Sequence, residues 1–162
     1  GVVFCLPGRV TPGFLTFLLL CGLGCISGAG VAVARHLGSA WAMLGLVRAI
    51  PFYWQSGQGK VGGADMAVAF QSREQETAFA AMEPIVVQML AFVDAEKQKA
   101  LGLKGSLGKD EKCLLLWARL ISLYQSELTA VAGNPFKVHP GGKNDLHKLW
   151  SLFTARLFGR YA

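Results

Sequence analysis

The feature that most constrains the fold is an uncharged apolar run of 22 residues over positions 13–34. As an α-helix this run is about 33 Å long, which matches the roughly 30 Å hydrocarbon core of a bilayer. Arg9 precedes the run, and Arg35 and His36 follow it, as polar residues do where a helix leaves the membrane. We therefore predict a transmembrane helix over 13–34, after an irregular lead-in over 1–12.

The same run contains two strips of small residues at four-residue spacing. In a membrane, small residues let two helices approach closely and gain dispersion contacts that bulky side chains would prevent. We therefore predict a helix-packing surface formed by Cys21, Gly24, Cys25, Gly28, Ala29 and Ala32. The alternative is that glycine is simply tolerated in a membrane helix.

The glycines also allow a dinucleotide-binding turn, because Gly22, Gly24 and Gly28 form a G-x-G-x-x-x-G pattern. Such a turn lies between a strand and a helix, and an acidic residue about 20 positions further on binds the ribose. That acid is missing, since Asp65 is the first acidic residue, and no further strands follow to build a sheet. A nucleotide-binding oxidoreductase is therefore the alternative of a different class.

Residues 35–54 remain apolar but contain Arg48 and Pro51. The apolar part before Arg48 is only eleven residues, which is short for a second span. We predict here a helix that lies at or near the interface or continues out of the bilayer, with a hairpin containing a second, tilted span as the alternative. Basic and amphipathic aromatic side chains favour the headgroup level. The predicted membrane-interface residues are Arg9, Arg35, His36, Trp41, Arg48, Tyr53 and Trp54.

A Gly-rich polar linker over 55–63 separates the membrane part from an extramembrane region over 64–162. Apolar residues at three- and four-residue spacing predict a first helix that Pro84 breaks or kinks, and a second that ends near Ala132. A last helix should begin near residue 145. No stretch has a regular strand pattern, so the predicted fold class is all-α: one N-terminal transmembrane helix, an interfacial helix and a small helical extramembrane region.

The composition favours a membrane or a large complex over a free soluble domain. Only 16% of the residues are charged, whereas soluble domains carry about 25%. The net charge of +6 suits an anionic lipid surface or an acidic protein, and no basic block with interleaved aromatics indicates nucleic acid. The candidate contacts to anionic lipid or to an acidic partner are Lys143, Lys148, Arg156 and Arg160.

No catalytic or metal-binding set is suggested by local spacing. The four cysteines lack zinc-site spacing, and no Glu-x-x-His pair indicates a di-iron site. A lone His36 at a membrane boundary is more typical of an interfacial polar residue than of a haem or chlorophyll ligand. We therefore expect no metal, no cofactor other than bound lipid, and no enzymatic activity.

These observations predict an accessory, non-catalytic structural subunit of a large organellar membrane complex. The first 64 residues contain four basic residues and no acid, a bias typical of import signals and of membrane segments with basic flanks. We expect the mitochondrial inner membrane, with a respiratory-chain complex or ATP synthase as host and other membrane subunits as partners; a thylakoid photosystem subunit is the alternative. Arg35 and Arg48 outnumber Arg9, which favours a matrix-side C-terminal region.

Overall fold

The computed structural model describes residues 27–56, 74–138 and 145–158, and every regular element among them is helical. The prediction of an all-α fold is confirmed. The four α-helices are α1 (Gly28–Gln55), α2 (Gln75–Gly102), α3 (Leu115–Thr129) and α4 (Asp145–Phe158). Three short 3₁₀ helices lie between them: η1 (Lys104–Ser106), η2 (Glu111–Leu114) and η3 (Pro135–Lys137).

The first helix begins inside the uncharged run. Ser27 has an extended backbone (φ −72°, ψ 164°), and its hydroxyl accepts a hydrogen bond from the N–H of Gly30 at 3.1 Å. A serine in this position satisfies one of the free N–H groups at a helix start. Residues 28–55 form one helix that continues across the predicted boundary at 34/35, as one of the two interpretations of residues 35–54 allows. Residues 13–26 lie outside the described part of the chain.

The centre of the bundle is α1, which packs against α2, α3 and η3. Its buried face is an apolar stripe at three- and four-residue spacing, which is the pattern of a core helix. The stripe consists of Val33, Leu37, Ala40, Leu44, Val47 and Ile50. The facing residues of α2 are Ala78, Met82, Val86, Met89, Val93 and Ala100, and those of α3 are Leu115, Ala118, Ile121 and Leu128. The last helix, α4, packs on α3.

Pro84, which was predicted to break or kink the helix, does not break α2. The helix is continuous from Gln75 to Gly102, and Pro84 lies on its exposed side. A proline inside a helix removes one backbone hydrogen bond and crowds the preceding turn. Met82 and Val86, two residues to either side, are both buried in the core. We attribute the continuity of the helix to this packing, since tertiary contacts supply most of the stability of a protein helix.

The C-terminal end of α3 is a left-handed turn. The helix ends at Thr129, three residues before the predicted end, because Ala132 (φ 53°) and Gly133 (φ 76°) both leave the helical region. The N–H of Gly133 donates to the carbonyl of Leu128 at 2.8 Å and closes the last turn. The chain then enters η3, where Asn134 accepts a hydrogen bond from the N–H of Phe136 at 3.0 Å.

Candidate functional site

Within the described part of the chain, two helical segments are long and apolar enough to cross a membrane, judged by length and composition. They are α1, with a mean hydropathy of 1.2, and Gln75–Ser106, with a mean hydropathy of 1.5. The bundle covers 39% of the apolar window in α1 and only 22% of the window in the second segment. The bundle therefore buries a smaller share of the second segment than of α1.

The second segment includes an apolar face of α2 that no other described element covers. We call it the α2 outer face and define it by the exposed residues Ala80, Pro84, Val87, Ala91, Phe92 and Ala95. Val87 is 59% exposed and Phe92 is 41% exposed. The opposite side of α2 forms the core, so apolar residues lie on two sides of this helix, and the exposed Gln88 lies among the residues of the outer face. Apolar residues on two sides are typical of a helix with more than one packed neighbour.

His36 connects α1 to α2 through a buried carboxylate. Its Nδ1 lies 2.7 Å from Oε2 of Glu96, and Lys99 Nζ donates to Oε1 of the same carboxylate at 2.6 Å. The side chains of His36 and Glu96 are 17% and 11% exposed. His36, which we predicted at the membrane interface, therefore lies between two helices with Nδ1 already paired.

A second buried carboxylate connects the start of α1 to η2. Glu111 accepts hydrogen bonds from the backbone N–H groups of Ser27 (2.6 Å) and Gly108 (2.7 Å), and from the Ser27 hydroxyl (3.1 Å). These donors favour the charged form, with the Ser27 N–H as the largest cause, and lower the pKa of Glu111 below the usual carboxyl range. We call this contact the Ser27–Glu111 clasp; it joins positions 84 residues apart.

Two predicted interface residues contribute instead to an aromatic cluster between α1 and α3. Trp41 packs edge-on against Trp117 and Tyr124, at centroid distances of 5.3 Å and 5.5 Å. The Arg48 guanidinium lies 3.9 Å from the centroid of the Tyr124 ring, and Lys148 Nζ lies 4.3 Å from it. These distances are within the range of cation–π interactions.

The remaining predicted interface and lipid-contact residues are dispersed. Trp54 packs edge-on against Phe136 at 5.5 Å and is half-buried, as is Tyr53. Arg35 is exposed. Lys148 pairs with Glu127 at 2.8 Å. Arg9, Lys143 and Arg160, and the side chain of Arg156, lie outside the described part of the structure.

The predicted helix-packing surface is described only in part. Gly28 is exposed at the first residue of α1, and a Cβ built on it has no heavy atom within 4 Å. Ala29 and Ala32 are half-buried. The described residues do not include Cys21, Gly22, Gly24 and Cys25. Ser27, which precedes Gly28 and Ala29, has an extended backbone.

A cleft of about 260 Å³ opens between the C-terminal halves of α1 and α3 and the η3 segment. Its lining is mostly apolar and includes one arginine. The lining residues are Arg48, Pro51, Phe52, Gln55, Leu128, Pro135 and Val138. Sequence reasoning missed this cleft, because its walls come from three segments that no local spacing connects.

Among residues 27–56, 74–138 and 145–158, no three His, Cys, Asp or Glu side chains are grouped to hold a metal ion. The same residues contain no strand, so the parallel sheet of a dinucleotide-binding fold is not found among them. No protein-family model matches the chain, and no curated protein or solved structure is significantly similar to it. Inferences about function therefore rest on the surfaces described above.

Proposed function

We propose that this chain is an accessory, non-catalytic structural subunit of a membrane protein complex. In this proposal, the α2 outer face packs against an apolar helix of a neighbouring subunit. The single observation that carries the proposal is the exposure of this face on a helix whose other side already forms the core. Exposed apolar surface is typical of interaction sites on proteins and membranes.

The composition of the face favours a helix as the covering element. Ala80, Ala91 and Ala95 are small, so a second helix can approach the backbone of α2 closely. Val87 and Phe92 supply larger apolar side chains that a partner removes from the surrounding solvent or lipid. Where the face is in water, burial of apolar surface contributes about 25 cal/mol for each Å² removed from the solvent. Where the face is in lipid, close packing of the two helices stabilises the contact instead.

For the host, we propose a respiratory-chain complex or ATP synthase of the mitochondrial inner membrane, with the C-terminal region on the matrix side. The support is the acid-free, basic N-terminal stretch of 64 residues together with the two span-capable helical segments. The excess of Arg35 and Arg48 over Arg9 supports the orientation.

The test is assembly of a tagged full chain in cells, followed by alkaline carbonate extraction and native electrophoresis after mild detergent. We expect the wild type in the membrane pellet and in a band much larger than the 17.4 kDa chain. Val87→Asp places a charge on the α2 outer face and should move the chain out of that band. Ser126→Asp adds the same charge at an exposed position on α3 and should assemble as wild type does.

Circular dichroism of both purified variants checks that each remains helical. Assembly of Val87→Asp at the wild-type level would overturn the role of the α2 outer face. Migration of the wild type as a single small species would overturn the subunit proposal itself. Release of the wild type into the carbonate supernatant would overturn the integral membrane location.

A further inference from the structure

We propose that the cleft between α1, α3 and η3 binds a single-chain anionic amphiphile. Its phosphate or carboxylate pairs with Arg48, and its hydrocarbon chain lies over Pro51, Leu128 and Val138. This inference goes beyond the proposed function, because it concerns a small ligand of this chain and does not depend on which complex the chain joins.

The first argument is the charge at the cleft. Arg48 is exposed, and no described carboxylate lies within 4 Å of it. Its guanidinium is held against the Tyr124 ring at 3.9 Å, so it is oriented before any ligand arrives. The planar guanidinium presents paired donors that match the oxygens of a phosphate or a carboxylate. An anion at this position therefore meets a positioned charge that no described carboxylate neutralises.

The second argument is the apolar wall beside that charge. Leu128 is 1% exposed and Pro135 is buried, so both belong to the rigid body of the bundle. The hydrogen bond from the N–H of Phe136 to Asn134 holds the η3 wall in place. Pro51 and Val138 complete the apolar part of the cleft that Arg48 also lines. A ligand that fits has one charged end and one apolar part.

The third argument is the rim. Phe52 lines the cleft and is 66% exposed, the largest exposure among the large apolar side chains described. A hydrocarbon chain in the cleft covers this ring, and burial of aromatic surface is favourable. The cleft volume of about 260 Å³ lies just below the roughly 300–1,000 Å³ of typical small-molecule sites. It therefore suits the anionic end and the first part of one chain, with the rest extending out.

The experiment titrates the purified full chain, in nanodiscs of zwitterionic phospholipid, with octyl phosphate by calorimetry. Octanol and inorganic phosphate serve as separate probes of the apolar and the charged part, and empty nanodiscs give the partitioning background. We expect saturable binding of octyl phosphate that is at least about tenfold tighter than binding of either partial probe, because only octyl phosphate uses both parts of the cleft.

Arg48→Gln should weaken octyl phosphate binding about tenfold and leave octanol binding unchanged. Arg35→Gln removes the same charge from another exposed position of α1 and should bind as wild type does. Phe52→Ala should weaken octyl phosphate binding about threefold without affecting inorganic phosphate.

Three results overturn the proposal. One is an Arg48→Gln variant that binds octyl phosphate as wild type does, which would place the ligand elsewhere. Another is octanol binding as tight as that of octyl phosphate, which would indicate apolar adsorption only. The third is inorganic phosphate binding as tight as that of octyl phosphate, which would make the cleft a site for free phosphate.

Discussion

The helices α1 and α2 are both 28 residues long, and both lie in segments of span-like hydropathy, yet the fold uses them differently. The apolar stripe of α1 faces α2, α3 and η3 and forms the centre of the bundle. α2 contributes one face to the same core and leaves a second apolar face exposed. Mean hydropathy cannot separate these roles, because it does not record which residues have neighbours. The α2 outer face is therefore the surface on which the proposed contact with a neighbouring subunit is tested.

The largest change in the free energy of unfolding is expected when core volume is lost from α1. Leu44 is 1% exposed, so Leu44→Ala leaves a cavity between helices and should lower the free energy of unfolding by about 2–5 kcal/mol. Val87→Ala on the α2 outer face should change it by less than about 0.5 kcal/mol. Chemical denaturation of both variants measures the difference. Equal losses would show that Val87 packs inside the chain after all.

The second-largest loss of stability is expected at the contact between His36 and Glu96, which joins α1 to α2. His36→Ala removes one partner of the buried Glu96 carboxylate and leaves Lys99 as the remaining one. We expect a loss of about 1–3 kcal/mol, since a buried acceptor without its donor is costly. Arg35→Ala, at the adjacent exposed position, is the control and should be nearly neutral. A neutral His36→Ala would mean that the α1–α2 pairing rests on apolar contacts alone.

The Ser27–Glu111 clasp at the start of α1 should respond to pH. The lowered pKa of Glu111 means that its contribution to stability is complete above the ordinary carboxyl pKa of about 4.3. That contribution is lost as the pH falls from there through the lower pKa of the folded protein. Glu111→Gln should lower the Tm at pH 7 and flatten the decrease in Tm below about pH 4.3. The control is Glu83→Gln at an exposed position; equal acid profiles for the two variants would contradict a role for the clasp.

The smallest change in the stability of the isolated chain is expected for a substitution at Gly28. A side chain there points into open space, so Gly28→Leu should change the stability of the isolated chain by less than about 0.5 kcal/mol. Any loss of assembly in this variant would therefore report a contact with a partner helix. The comparison with Val87→Asp on native electrophoresis then shows whether α1, α2 or both contact the neighbouring subunit. Normal assembly of Gly28→Leu would leave only the α2 outer face as a docking surface.

The fold class could be predicted from the sequence because helical periodicity and the absence of strand patterns are local signals. The end of α1 at Gln55 lies one residue past the predicted end, because polar and glycine residues follow it. The helix start at Gly28 was missed. A serine cap inside an apolar run has little effect on hydropathy, although Ser27 is a favourable N-cap residue.

The site residues were harder to predict because their partners are distant in the chain. His36 has an interfacial character by sequence, yet its partner Glu96 lies 60 residues away. The cleft around Arg48 depends on Leu128 and Val138, which no spacing rule connects to α1. The continuity of α2 through Pro84 was likewise decided by core packing on either side of the proline.

The Ser27–Glu111 clasp also has a consequence for biosynthesis. The ribosome must add more than 80 residues after Ser27 before Glu111 exists. At about 5–20 residues per second, this takes on the order of 4–17 s. The apolar stripe of α1 therefore emerges well before α3 can cover it, which leaves several seconds for a chaperone or a translocase to engage the helix.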